Sequence, residues 1–233
     1  MSKKNHFRDG LLSAACLIAL GLAALPAMAS TFRLQSTTVV MDERDGRTTF
    51  NVTNTGSDPI LLLTKLEDLG NEEMAKNVLV TPAVTRIDPD QSQIINFALK
   101  QGVKLDQEYM LKASFEGVEQ RVKSGTSMPV RQQIGFIVQP KSVAVQPQPW
   151  KELAVTVSGN QVTLSNPGKH IVRLGPVVKL PSGEELPLSH AYILPGESMS
   201  VTHEGIANAN QISITPLSRY GLVLPATSLP IAR

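Results

Sequence analysis

A chain of 233 residues with 42% hydrophobic and 18% charged side chains holds enough apolar material for one large core or two small ones. Aromatic side chains make up 4%, too few for a surface that stacks single-stranded nucleic acid. The 16 glycines and 16 prolines favour strands joined by many turns over a helical bundle.

Lys3, Lys4 and Arg8 open the chain, an apolar run from Leu11 to Leu25 follows, and Ala27-Met28-Ala29 supplies small residues at the spacing of a cleavage site. Residues 1–29 therefore read as a secretory signal peptide, too short for a good membrane span. Ser13-Ala14-Ala15 ahead of Cys16 lacks the large aliphatic residue of a lipid-attachment box. This leader takes three of the 22 basic and one of the 20 acidic side chains, so the remaining 204 residues carry 19 of each. A net charge of zero excludes a global basic field for nucleic acid or anionic lipid. Cys16 leaves with the leader, so no disulfide is expected in the exported chain. No later apolar run is long enough to insert into a membrane.

Short aliphatic and β-branched runs then alternate with turn residues. Ser36–Met41, Thr48–Asn54 and Ile60–Leu66 read as strands, with Asp45-Gly46 a hairpin-type turn and Thr55–Pro59 a loop. Leu69–Lys76 reads as a loop or a single helical turn. Asn77–Val84, Gln93–Leu99, Tyr109–Val118 and Met128–Val138 continue the series, the strand count of an immunoglobulin-like sandwich. From Gln139 to Trp150 the prolines Pro140, Pro147 and Pro149 mark an elbow. Beyond it come Leu153–Val157, Gln161–Leu164, Val172–Leu180, Ala191–Leu194, Met199–Thr202, Gln211–Thr215 and Tyr220–Leu224. Ser158-Gly159-Asn160 gives the clearest hairpin signal among them. The expected fold is all-β: two immunoglobulin-like β-sandwich domains, at 30–140 and 149–233. No sequence repeat links the halves.

Catalytic and metal-binding signatures are missing. His170, His190 and His203 stand alone, without zinc spacing, and neither G-x-S-x-G nor S-x-x-K occurs. Asp42, Glu43 and Asp45 sit astride a turn, where carboxylates are expected to be solvated, as are Glu72-Glu73 and Glu184-Glu185 in loops. The chain is expected to be a binding protein without a metal or cofactor, and not an enzyme.

Met128–Val138 has a distinctive alternation. Met128, Val130, Ile134, Phe136 and Val138 share one face, interrupted by Gln132, while Arg131, Gln133, Gly135 and Gln139 share the other. Such a strand closes its own sandwich, or is lent to another protein whose sandwich lacks one.

Several segments in order resemble the periplasmic chaperones of the chaperone–usher pilus pathway. Thr38–Asp42 with Thr49–Asn54 is similar to the opening strand pair of that family. Val80–Pro89 resembles its TPP-x-x-R-aliphatic-x-P-G segment, with Ala83 and Asp90 departing from it, and Phe136–Pro140 resembles the run that closes its first domain. The resemblance implies a periplasmic address and donor-strand complementation of pilin subunits that are passed to an outer-membrane usher. Thr126, Met128 and Val130 would be the donor positions, and the short link Val122–Gly125 matches the short-loop branch. Two free copies capping one another at the same edge is a further implied partner. The alternative is a two-domain immunoglobulin-like binding or adhesion module without donor-strand activity.

The resemblance also implies anchoring of the client's terminal carboxylate by an arginine and a lysine, but Thr38 and Gly135 stand at those positions. Arg131 and Lys112 are the candidate replacements, ahead of Arg33. The family's interdomain Glu–Arg–Asp network maps onto Glu108, Gln139 and Arg219, which implies a Glu108–Arg219 pair bridged by the Gln139 amide.

Overall fold

The computed structural model describes residues 32–70, 73–120, 128–206 and 209–232; the leader assigned to 1–29 and the donor position Thr126 lie outside them. The first half contains β1 (Phe32–Leu34), β2 (Thr38–Asp42), β3 (Arg47–Asn54), β4 (Ile60–Asp68), β5 (Val78–Thr81), β6 (Val84–Ile87), β7 (Ser92–Leu99), β8 (Tyr109–Glu119) and β9 (Val130–Gln139). They form a four-stranded sheet ordered β1-β3-β7-β5 and a five-stranded sheet ordered β2-β9-β8-β4-β6. Alternation decides which side of each strand is buried: Ile60, Leu62 and Thr64 face inward on β4 while Leu61, Leu63 and Lys65 face out. Between the sheets Phe50 stacks on Phe115 with centroids 5.3 Å apart, and Phe97 meets Phe136 at 4.9 Å. Gln132, the polar residue on the inner face of β9, donates its amide to the Phe32 carbonyl at 2.8 Å and so ties β1 to the second sheet. Gly117 makes room for this, since a Cβ there would lie 2.8 Å from the Phe32 ring.

Two expectations about turns are corrected. Asp45-Gly46 does not close a hairpin, because β2 pairs with β9 and β3 pairs with β1 and β7, so the turn is a corner between sheets. Asn77–Val84 is not one strand: Pro82 offers no amide hydrogen to continue the ladder, and β5 and β6 join different sheets. A 3-10 turn at Ala75–Asn77 precedes β5. Glu43 is also no solvated turn residue, for its carboxylate accepts the Lys141 amide at 2.8 Å and pairs with the Lys141 ammonium at 3.1 Å.

The second half contains β10 (Ala154–Ser158), β11 (Gln161–Ser165), β12 (Val172–Lys179), β13 (Glu185–Pro187), β14 (Tyr192–Ile193), β15 (Ser198–Thr202), β16 (Gln211–Leu217) and β17 (Thr227–Pro230). A sheet ordered β10-β11-β15 packs against one ordered β13-β12-β16-β17, with β14 on β12. Their core includes Trp150, Val162, Leu164, Val172, Leu174, Ile212 and Ile214. Gly159, at φ +56°, turns the β10–β11 hairpin that its sequence predicts. Tyr220–Leu224, expected as a strand, is a loop. Gly221 takes φ +86° and leaves Tyr220, Leu222 and Val223 exposed, and β17 supplies the missing strand.

The two sandwiches share a local device that the sequence comparison did not reveal. Asn54 donates to the Asp58 and Ile87 carbonyls and accepts from the Gly56 amide; Asn166 donates to those of His170 and Ile193 and accepts from the Gly168 amide. Each buried amide thus fastens a loop to a crossing chain.

Between the sandwiches, Ile137, Ile171 and Leu194 form a small buried cluster edged by Val40, Met110 and Tyr192. Beside it the Arg219 guanidinium lies 3.4 Å from a Glu108 carboxylate oxygen and donates to the Gln139 side-chain oxygen at 3.0 Å. The other Glu108 oxygen accepts the Ile171 amide at 2.9 Å. Gln139 uses its amide nitrogen on the Pro140 and Val143 carbonyls, so its two ends join the elbow to the second sandwich.

Two outcomes are expected. Asn54→Ala removes three hydrogen bonds at a buried site and should cost about 2–4 kcal/mol, measured by denaturant unfolding against wild type. Arg219→Ala leaves Glu108 without its cation and should cost about 1–3 kcal/mol. It should also widen the range of domain angles in small-angle scattering; unchanged melting and scattering would refute the junction role.

Candidate functional site

Strand β9 lies between two neighbours of unequal length. On one side β8 pairs with it antiparallel from Val130 to Val138; on the other β2 pairs with it in parallel, only from Gly135 to Gln139. The sheet therefore borders Val130–Ile134 on the β8 side alone, among the described strands. That half-strand presents a backbone edge of the kind to which an extended chain adds. Just ahead of it Met128 is 78% exposed, and Val130 packs half-buried against the rim of the first core.

The outward face of β9 descends in rows from the open end to the junction. Arg131 stands opposite Glu116, and its Nε donates to that carboxylate at 2.8 Å, so its charge is already engaged. Gln133 stands opposite Ser114. In the next row Lys112, Gly135 and Thr38 lie side by side on β8, β9 and β2, with Glu67 beyond Lys112 on β4. A Cβ on Gly135 would come 3.1 Å from the Met110 methyl and 3.7 Å from that of Thr38, so this row is closely packed around a residue without a side chain. The row below, Met110, Ile137 and Val40, enters the apolar junction.

Of the candidate anchors, Lys112 thus stands in the row of Thr38 and Gly135, and Arg131 stands two rows away in an ion pair. Glu67 tempers Lys112: a hydrogen bond from Lys65 holds its carboxyl below the ordinary range, and the charges of Lys112 and Arg131 add to this. Arg33 is exposed on β1.

Sequence reasoning passed over Arg173. It sits on β12 of the second sandwich, opposite Tyr192 and Leu217, and reaches across the junction to donate to the Thr38 hydroxyl at 2.7 Å. An arginine at an outward position of an alternating strand carries no local mark that separates it from a solvated one. The cavity it enters measures about 260 Å³ and is lined by Thr37, Lys112, Gln133, Gly135, Arg173 and Tyr192 over an apolar floor.

The histidines are dispersed. His170 contacts the Ala144 carbonyl, His190 stacks on Tyr192 and His203 pairs with Glu184. Among the described residues no three His, Cys, Asp or Glu side chains gather as metal ligands.

Residues 31–144 match the family described as pili and flagellar-assembly chaperone, PapD N-terminal domain. An uncharacterised fimbrial chaperone of Escherichia coli K12, YhcA, is 30% identical over 192 residues, which cover 80% of this chain and 84% of that protein. Two solved structures share the fold. The E. coli chaperone DraB is 20% identical, with TM-score 0.71, 85% of this chain and 96% of the other covered. The complex of the Salmonella enterica SafA pilin with the SafB chaperone gives 18% identity, TM-score 0.72, and 85% and 95% coverage. With an all-β pair of sandwiches, a half-bordered β9 and a relative of this identity along most of its length, the chain belongs to the fimbrial chaperones of the PapD-like family.

Proposed function

We propose that this protein is a periplasmic chaperone that binds pilin subunits through β9 and delivers them to an outer-membrane usher, without catalysis or cofactor. One observation carries the reading: β2 stops short, so among the described strands Val130–Ile134 of β9 has a neighbour on the β8 side alone. An incomplete sandwich in need of one strand gains a backbone ladder from this edge, and apolar side chains for its groove from Met128 and Val130, with Thr126 preceding them. Full burial of each Met or Val contributes about 1.5–3 kcal/mol. Residues 1–29 act as the cleaved leader, 30–140 as the domain that holds the donor strand, and 149–233 as the second domain. The short link Val122–Gly125 supports assigning the protein to the short-loop branch. The same edge lets two free copies cap one another until a client arrives.

The test is affinity purification of the tagged protein from the periplasm of its native host, with mass spectrometry of the proteins recovered at near-equal stoichiometry. A small β-rich subunit should elute with wild type and be lost with Val130→Asp. The second sandwich of that variant should melt as in wild type, because Val130 lies at the rim of the first core only. A protein that elutes alone, in a host whose pilins still accumulate when its gene is deleted, would overturn the chaperone reading in favour of a binding or adhesion module.

A further inference from the structure

Most of the edge strands in this molecule are blunted against pairing with another chain. In the first sandwich β1, β2 and β6 carry Arg33, Asp42 and Arg86. In the second, β13 and β17 are short and end in Pro187 and Pro230. The open side of β10 is covered where the Ala232 amide donates to the Val155 carbonyl at 2.8 Å. Strand β15 differs. Ser198–Thr202 is regular and carries neither charge nor proline, and among the described strands only β11 pairs with it.

Alternation along β15 fixes what this edge offers. The Asn166 amide donates to the Glu197 carbonyl and the His203 amide to that of Asn160, so the odd-numbered residues turn their backbone groups toward β11. Ser198, Ser200 and Thr202 therefore turn their N–H and C=O groups to the open side. Their exposed side chains continue a row of hydroxyls on the outer face: Ser198 donates to the Ser165 hydroxyl at 2.8 Å, and Ser200 shares a hydrogen bond of 2.8 Å with Thr163. On the inner face Met199 is buried and Val201 packs against the second core. A strand that joins this edge must be apolar at its inner positions and small and uncharged at its outer ones.

Strand β15 itself meets these demands. We propose that its open edge pairs with β15 of a second copy of this chain, antiparallel about a two-fold axis at Ser200. In that register Ser200 exchanges both backbone hydrogen bonds with Ser200 of the second copy, and Ser198 exchanges both with Thr202 on either side of the axis. Every open donor and acceptor of the strand is then used. Met199 comes opposite Val201 on the inner face, and the hydroxyl row runs on across the axis. No row of the register opposes like charges, and just beyond the uncharged segment Glu197 comes opposite His203. The product is one continuous sheet in the order β10-β11-β15-β15-β11-β10. This surface belongs to the second sandwich and β9 to the first, so copies joined here keep both donor strands open to clients, unlike copies that cap one another through β9.

The test is sedimentation velocity of the full exported protein without client, over a series of concentrations, in the wild type and in the Val130→Asp variant that disables pairing through β9. A concentration-dependent dimer is expected in both. Ser200→Lys and Ser200→Glu, each added to Val130→Asp, set like charges side by side across the axis and should weaken the dimer roughly tenfold. Their equimolar mixture should restore it, an outcome that misfolded variants could not give. With Val130 intact, both variants should still capture clients in affinity purification, which separates this surface from the donor strand. A wild type that stays monomeric throughout, a dimer that vanishes with Val130→Asp, or a mixture no tighter than its components would each overturn pairing through β15.

Discussion

One strand has to meet two demands. The inner face of β9 supplies Phe136 and Val138 to the centre of the first sandwich, with Phe136 against Phe97, so the strand cannot leave its own core. Its edge, on the other hand, outruns β2, and an unfinished edge invites pairing with any extended chain. The conflict is resolved by dividing the strand along its length: from Gly135 onward it is paired within this molecule on both sides, and before Gly135, among the described strands, on one side only. Gln132 secures the open half from within by holding the Phe32 carbonyl, so the edge is presented by a strand already fixed to both sheets. A pre-ordered edge spares a client part of the entropy cost of ordering both partners.

The junction completes this arrangement. Its apolar cluster of Ile137, Ile171 and Leu194 starts directly below the row of Lys112, Gly135 and Thr38, so the floor of the cleft and the contact between sandwiches are one continuous face. Arg219 and Arg173 approach this face from the second sandwich with different surroundings. Arg219 is met by Glu108 and Gln139 and ties the halves together. Arg173 hangs on the carbonyl of Arg219 and has no carboxylate of its own. The two arginines therefore meet at the junction, Arg219 through its side-chain partners and Arg173 through the Arg219 carbonyl.

The features legible in the sequence were those with a local cause. Alternation marked β4, β8 and β9, and Gly159 marked the β10–β11 hairpin, because burial and positive φ leave a trace within a few residues. What failed was decided at a distance. Asp45-Gly46 has the residues of a hairpin, yet sheet membership is set by β9 and β7 far along the chain. Tyr220–Leu224 is as apolar as a strand, but Gly221 turns it back beside Thr37 and Arg173. The paired roles of Asn54 and Asn166 escaped notice because three hydrogen bonds from one side chain need only that residue and a neighbouring glycine in common. The cleft beside β9 followed the same division: the alternation of β9 was legible locally, whereas Arg173 reaches Thr38 through a contact 135 positions away in the chain.

That contact also explains how Thr38 and Arg173 can stand together. The Thr38 hydroxyl donates to the Thr37 carbonyl at 2.8 Å and accepts from Arg173 at 2.7 Å, a double role open to a hydroxyl and closed to a guanidinium, which has no acceptor. An arginine at position 38 would replace that acceptor with a second positive charge against the partly buried Arg173, a repulsion that burial strengthens. A neutral hydroxyl on β2 and a cation on β12 are therefore coupled across the junction through one hydrogen bond.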